Sequence, residues 1–335
     1  MNAHQMRFNQ VTGRWVIYAT GRGKRPHDFS DDETRRRATI PTYDPVCPFC
    51  PGNEDRLTTI RVEHSLPGAD QWQTRVVLNK YPVLDVQPEG QRSARGLFVT
   101  APARGQHEVI IESPRHDTDL AYTDVETVEA VIDTYHQRYC TLLHLPETQQ
   151  VVLFRNHGEL AGTSLRHPHA QIVATSVTAQ RTRQHGDLAE RYHHQKGSDL
   201  VGDMARQERA EAERVVMENE SFVAFVPFAA EVPYEMWIVP LEREADFSRA
   251  TTVQRRHLAR MLRDLLRRLH DELDDPDYNL IFQSAPRYEA DAPYLRWYVR
   301  IRPRMITRAG FELGSGVRVN PTLPEHNAKL IRQAR

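Results

Sequence analysis

The residues best suited to chemistry in this chain lie at Arg166-His167-Pro168-His169-Ala170-Gln171-Ile172. An imidazole titrates near neutral pH, so its unprotonated form can act as a nucleophile or as a metal ligand. Apolar runs at Val151 to Phe154 and Ile172 to Ala174 flank the motif, which places it on or entering a β-strand. Strand side chains alternate, so His167, His169 and Gln171 are expected on one face. Pro168 donates no ladder hydrogen bond, which predicts a strand edge or an open site. A lone histidine here would be read as a solvated polar residue. Two histidines and a glutamine at period two, with candidate metal ligands elsewhere, favour an active-site strand.

A second group with chemical potential is Cys47-Pro48-Phe49-Cys50, flanked by Pro45, Pro51 and Gly52. This C-x-x-C spacing is half of a zinc site. A redox pair would normally open a helix in a βαβ unit, and the flanking prolines argue for a knuckle instead. The third cysteine, Cys140, lies in a helical pattern. The remaining ligands must then be histidine or carboxylate, with His107, His116, His157 and His167 as candidates; two buried thiols without metal are the alternative. Gly21-Arg22-Gly23-Lys24-Arg25-Pro26 reads equally well as a phosphate-binding loop or as a solvated basic turn.

These residues need elements to position them. The 335-residue length suits two units of about 150 residues. A 39% hydrophobic fraction supports an ordinary core, and a net charge of -1 gives no global field for nucleic acid or membrane. No apolar run nears the roughly 20 residues of a membrane span, and Met1 to Gln10 lacks the apolar core of a secretory signal, so a cytoplasmic protein is expected. Strands are expected at Trp15–Tyr18, Arg75–Leu78 and His107–Pro114, with a helix over Thr123–Leu143. Ser176–Glu220 is charged with sparse apolar positions, which predicts a solvent-facing helical connector with Glu208, Glu211 and Glu213 on its wet side. The plan then repeats: Phe222–Pro227, Pro233–Pro240, a helix over Thr252–Leu273, Asn279–Phe282 and Arg296–Arg300 follow in the same order. The expected division is residues 1–178 with the knuckle and histidine strand, a connector at 179–219, and a second half at 220–335 without the two histidines.

Taken together, Gly13-Arg14-Trp15-Val16-Ile17, Arg22-Gly23-Lys24-Arg25-Pro26, Cys47-Pro48-Phe49-Cys50, Asn79-Lys80-Tyr81-Pro82, Glu112-Ser113-Pro114-Arg115-His116 and His167-Pro168-His169-Ala170-Gln171 resemble the galactose-1-phosphate uridylyltransferase branch of the histidine-triad superfamily. That branch also holds ADP-glucose phosphorylase-like enzymes and dinucleoside polyphosphate phosphorylases. The resemblance implies an α+β protein with a duplicated histidine-triad-like fold: two mostly antiparallel sheets with helices. It implies that His169 takes a nucleoside monophosphate onto a ring nitrogen and that Gln171 bonds the phosphoryl oxygens. Cys47, Cys50, His116 and His167 would hold one structural Zn2+ per chain. Arg22 and Arg25 would face phosphates, Asn79 and Lys80 the nucleoside, and Asn156 and Ser164 the phosphates near the nucleophile. The implied partners are a nucleotide sugar and a sugar phosphate, or phosphate itself, in a homodimer with no nucleic acid or membrane. The implied reaction is nucleotidyl transfer between a UDP-glucose-type sugar nucleotide and a sugar 1-phosphate; the alternative is a nucleotide-sugar or dinucleotide phosphorylase.

Some positions depart from that pattern. Many relatives carry His-x-His and an upstream histidine in the second half, with a second metal. Here those positions read Gln283, Arg296 and Tyr298, and no second metal is expected in the chain. Asn320 stands roughly where hexose-1-phosphate enzymes use a glutamine. Arg296, Arg300, Arg302 and Arg304 are read either as a recognition surface for a more anionic acceptor or as an exposed basic face.

Overall fold

The computed structural model describes residues 4–21, 40–65 and 71–334. An antiparallel hairpin opens the chain, β1 (Gln5–Asn9) and β2 (Arg14–Tyr18). The first half continues with β3 (Ile60–His64), β4 (Thr74–Leu78), a small ribbon of β5 (Ser93–Arg95) and β6 (Phe98–Thr100), β7 (Gly105–Ile111), α1 (Val125–Leu143), β8 (Gln150–His157) and β9 (His169–Thr175). Two helices follow, α2 (Gln180–Lys196) and α3 (Leu200–Glu211). The second half runs β10 (Val215–Glu218), β11 (Phe222–Phe225), β12 (Met236–Pro240), α4 (Thr252–Leu273), β13 (Tyr278–Gln283) and β14 (Tyr298–Pro303). The chain closes with α5 (Gly310–Ser315), β15 (Arg318–Asn320) and α6 (Pro324–Gln333). Among the described residues no helix is long and apolar enough to cross a membrane.

The strand–strand–helix–strand–strand unit occurs twice, as the sequence repeat anticipates. Each half forms a five-stranded antiparallel sheet, and the two are joined edge to edge. The order is β10-β11-β12-β14-β13-β8-β9-β7-β4-β3, so β13 pairs with β8 at the centre. Joining the inner edges removes two open strand edges that would otherwise expose unpaired backbone groups. The opening hairpin lies elsewhere: β2 pairs in parallel with β15, and Tyr18 donates from its hydroxyl to the Ala230 carbonyl at 2.9 Å.

Both long helices lie on one face of the sheet. Helix α1 starts where the Asp124 carboxylate accepts the Thr127 N–H at 2.7 Å, and α4 starts at a reciprocal cap between Thr251 and Gln254. In α4, Leu258, Met261, Leu262, Leu265, Leu266 and Leu269 recur every three or four residues and are all buried. They share one core with Val128, Ile132, Tyr135 and Tyr139 of α1. On the opposite face, α3 covers the second half only, packing Leu200, Val201 and Ala205 on Val223, Phe225, Trp237 and Tyr298. The connector is therefore not wholly solvent-facing. Glu208 in particular is buried rather than solvated, since it accepts from Arg214 Nε at 2.7 Å and from the Phe228 N–H at 3.0 Å. Burial outweighs the Arg214 charge and raises its carboxyl to about 7. Glu211 and Glu213 do remain exposed.

The β8 exit requires a glycine. Gly158 has φ 82 and ψ 161, a region open essentially to glycine alone, and an added Cβ would collide with the Asp277 carboxylate. Gly158→Ala is expected to destabilise the fold by about 1–3 kcal/mol in urea unfolding; a loss below about 0.5 kcal/mol would contradict this account.

Candidate active site

Strand pairing decides which side chains meet. In β9 the residues Ala170, Ile172 and Ala174 face the helices and join the core. His169, Gln171 and Val173 therefore face the other way. Register sets Ile111 and Val109 of β7 opposite His169 and Gln171, and Phe154 of β8 opposite Gln171. Asn156, two residues beyond Phe154, shares this face and accepts from Asn279 Nδ2 at 2.9 Å. Pro168 ends the ladder without loss, because its carbonyl accepts the Glu112 N–H at 3.1 Å and no donor is needed from it.

His169 is 6% exposed, and its Nδ1 lies 2.8 Å from the His167 carbonyl. A carbonyl only accepts, so Nδ1 carries the proton and Nε2 keeps its lone pair. Among the described residues Nε2 makes no hydrogen bond. Burial lowers the imidazole's pKa against the opposing pull of the His167 carbonyl and the Glu112 charge, so the ring is neutral at neutral pH.

His167 lies just before β9 and is fully buried. Its Nε2 donates to the Ser113 carbonyl at 2.8 Å, which leaves Nδ1 unprotonated. That Nδ1 is 3.7 Å from Cys47 Sγ and 3.6 Å from Cys50 Sγ, while His116 Nδ1 is 3.5 Å from Cys50 Sγ. The four donors form a buried Cys2His2 cluster able to hold a metal ion. Tetrahedral zinc with bonds of ~2.0–2.3 Å spaces its ligand atoms by about 3.4–3.8 Å, which these separations match. Without an ion, burial pushes the Cys47 thiol up to about 11 and the His167 imidazole down to about 4. A neutral imidazole is what a metal requires, and a bound cation would favour the thiolates. The Asp44 N–H points at Cys50 Sγ at 3.3 Å, a donor suited to a thiolate.

Gln171 is held by a residue whose role the sequence left open. His107 is buried at 6% exposure, neither an exposed strand start nor part of the Cys47 cluster. The Val83 N–H donates to its Nδ1 at 3.3 Å, so the proton sits on Nε2, which donates to Gln171 Oε1 at 2.9 Å. The Gln171 amide NH2 is thereby directed away from its ring partner. Asn79 lies beside them: its Oδ1 accepts the Tyr81 N–H at 2.8 Å, and its Nδ2 comes 3.2 Å from His107 Nε2, a contact between two donors rather than a hydrogen bond in this tautomer. His169, Gln171, Asn156 and Asn79 are thus gathered on one side. Lys80 and Ser164 are exposed in the turns after β4 and before His167. Arg22 and Arg25 lie outside the described residues.

Behind the strand, Arg155 and Glu112 form a fully buried ion pair, Nε to Oε2 at 2.9 Å, with Arg155 Nη1 also donating to the Tyr278 hydroxyl at 2.6 Å and Tyr135 donating to Glu112. A charged pair on the core side of two apolar strands was detectable only as a break in the alternation. In the second half the arginines prove to be internal. Arg296 makes two 2.9 Å bonds to Asp199, Arg300 pairs with Glu235, and Arg302 Nη1 lies 3.1 Å from Glu231. An exposed basic face is therefore corrected for these three: neighbouring carboxylates neutralise them, and only Arg304 is exposed. Asn320 is also internal, donating to the Ala230 carbonyl at 3.1 Å.

A further cluster, Asp119, His157 and His270, gathers on the helix side of the sheet. It takes up His157, one of the zinc candidates, and separates it from the cysteines.

Comparison with known proteins follows this geometry. Residues 1–179 match the family model "Galactose-1-phosphate uridyl transferase, N-terminal domain" and residues 185–313 its C-terminal domain. An ADP-glucose phosphorylase of Arabidopsis thaliana is 30% identical, over 98% of this chain and 92% of its own. A galactose-1-phosphate uridylyltransferase of Thermotoga maritima is 26% identical over 98% of both. The crystal structure of an Arabidopsis thaliana ADP-glucose phosphorylase with bound ADP-glucose superposes with a TM-score of 0.83, at 28% identity, over 99% of each chain.

Removing one member of the buried pair tests the packing behind His169. Glu112→Ala leaves Arg155 uncompensated and is expected to lower stability by about 3–5 kcal/mol in chemical unfolding; a change within about 0.5 kcal/mol would show that the pair is dispensable.

Proposed function

Because the chain belongs to the galactose-1-phosphate uridylyltransferase family, we propose that it moves a nucleoside monophosphate between a UDP-glucose-type sugar nucleotide and a sugar 1-phosphate, by a ping-pong route through an adduct on His169. The observation carrying this reading is the tautomer: the Nδ1–H is engaged with the His167 carbonyl, and Nε2 retains its lone pair. In the first step Nε2 attacks the α-phosphorus. A phosphorus–nitrogen bond forms, and the bond to the bridging oxygen breaks. The sugar 1-phosphate leaves with the electron pair. The His167 carbonyl then stabilises the positive charge that develops on the ring. In the second step a phosphate oxygen of the acceptor attacks, the phosphorus–nitrogen bond breaks, and the neutral ring is restored. Dividing the transfer in this way is covalent catalysis.

Gln171 is the proposed donor to the non-bridging phosphoryl oxygens, with His107 as its positioning residue. Asn156 is proposed beside the phosphates and Asn79 with Lys80 beside the nucleoside; Ser164, Arg22 and Arg25 complete the phosphate contacts. Cys47, Cys50, His116 and His167 are proposed to hold Zn2+. A bound ion would be structural: the four ligands would anchor the segment that presents the His167 carbonyl to His169.

A second reading shares the first step and differs in the acceptor, which is inorganic phosphate. The near full-length likeness to an ADP-glucose phosphorylase favours it.

Incubation with α-32P-labelled UDP-glucose or ADP-glucose should leave acid-labile label on the wild-type protein and none on His169→Ala. Turnover by His169→Ala would sink the mechanism. Release of the label by galactose 1-phosphate supports the transferase, and release by phosphate alone supports the phosphorylase. Metal analysis of Cys47→Ser should show one zinc fewer per chain than wild type; an unchanged content would remove the cysteines from the ligand set.

A further inference from the structure

The cluster at Asp119, His157 and His270 lies across the joint between the two halves, on the sheet face opposite His169. His157 ends β8 and Asp119 lies in the loop after β7. His270 stands in the last turn of α4, and Asp275 lies in the loop leading to β13. Asp119 Oδ2 is 3.4 Å from His157 Nδ1 and 3.8 Å from His270 Nε2. His270 is 7% exposed, and its Nε2 has no hydrogen-bond partner although Asp275 Oδ1 is 3.2 Å away. A buried ring nitrogen aimed at two carboxylates but bonded to neither calls for another partner. The Asp119–His157 separation equals the edge of a coordination tetrahedron, about 3.4 Å for bonds of ~2.0–2.1 Å, and the Asp119–His270 separation is 0.4 Å wider.

Each donor is oriented for the role. Asp119 Oδ1 accepts the Ala121 N–H at 2.7 Å, which turns Oδ2 toward the two rings. His157 Nε2 lies 2.7 Å from Asp275 Oδ1, so it donates there and Nδ1 keeps its lone pair. Such a carboxylate behind a ligating imidazole is the usual support of a metal-bound histidine. The His157 ring also stacks on Tyr278, with centroids 4.9 Å apart. A cavity of about 540 Å³ opens onto the cluster, leaving room for a water as the fourth ligand. Its lining adds Asp117, Asp271 and Asp274 to Asp119 and Asp275, against two arginines: Arg155, 4.0 Å from Asp119 and already paired with Glu112, and the exposed Arg166. The local charge balance favours a cation.

We propose that Asp119, His157 and His270 bind a second divalent ion of the zinc class, which ties the first half of the sheet to the end of α4. Mixed nitrogen and oxygen donors in tetrahedral spacing select zinc or cobalt over calcium or magnesium. The site shares no ligand with the Cys47 cluster, although the cavity beside it also reaches His116, and none of its three ligands is assigned a part in the transfer chemistry.

The full-length protein is dialysed to equilibrium against micromolar zinc, and bound metal is counted in wild type, His157→Gln and His270→Gln. Wild type is expected to hold two ions per chain and each variant one. Cobalt distinguishes the sites: binding at the cysteines brings an intense thiolate-to-metal band in the near ultraviolet, whereas this site adds only weak visible bands. Both variants should keep the near-ultraviolet band, which also shows that they are folded, and lose the additional visible absorption. Zinc should raise the unfolding temperature of wild type more than that of either variant. A wild-type content limited to the thiolate site, or a second ion retained undiminished in both variants, overturns the proposal.

Discussion

Two successive carbonyl contacts govern the chemistry available to this protein. The Ser113 carbonyl takes the Nε2 proton of His167, and the His167 carbonyl takes the Nδ1 proton of His169. Each contact fixes a tautomer, and the two tautomers are opposite. His167 is left with Nδ1 toward the two cysteines, and His169 is left with Nε2 as its only free lone pair. Two identical side chains, two residues apart, thereby present opposite ring nitrogens for further contacts. Pro168 stands between them, and its ring fixes one of the backbone dihedrals that separate the His167 carbonyl from the next imidazole.

The rest of the first half supports those contacts. Strand β7 brings Ser113 and His116 to the end of the sheet beside β9, and its pairing with β9 extends through the Glu112 N–H to the Pro168 carbonyl. Glu112 and Arg155 place a buried, hydrogen-bonded ion pair behind the strand. Such a pair adds little net stability over apolar packing, but it resists removal of either partner. It also sets opposing charges near the His169 ring, so burial dominates the ring's pKa.

The duplication gives two sheets of the same plan and two different outer faces. In the second half α3 packs over Trp237 and Tyr298, and Arg300 and Arg302 are consumed by Glu235 and Glu231. In the first half the corresponding face presents His169, Gln171, Phe154 and Asn156. The pairing of β8 with β13 makes one continuous sheet of both, and the polar groups at its end, His157, His270, Asp119 and Asp275, come from both halves.

Local periodicity was enough to read the two long helices, the strand repeat and the alternation that separates His169 from Ala170, because these depend on neighbours within a few residues. The C-x-x-C spacing was likewise legible as half of a cluster able to hold a metal, and the histidine motif as the entry to a strand. Which histidines complete the cysteine cluster was not decided by spacing, since His107, His116, His157 and His167 all remained candidates until the resemblance to known proteins selected two. Tertiary structure alone brought His116 and His167 to the sulfurs, turned His107 toward Gln171, and sent His157 across the joint to His270. The burial of Glu208 and of Arg296, Arg300 and Arg302 was equally invisible, because a charged residue reads as solvated until the carboxylate or guanidinium that neutralises it arrives from a distant segment. Residue type and period determined what each strand could offer; long-range pairing decided which donors met, because a hydrogen bond or a metal site is a property of distances that the chain order does not contain.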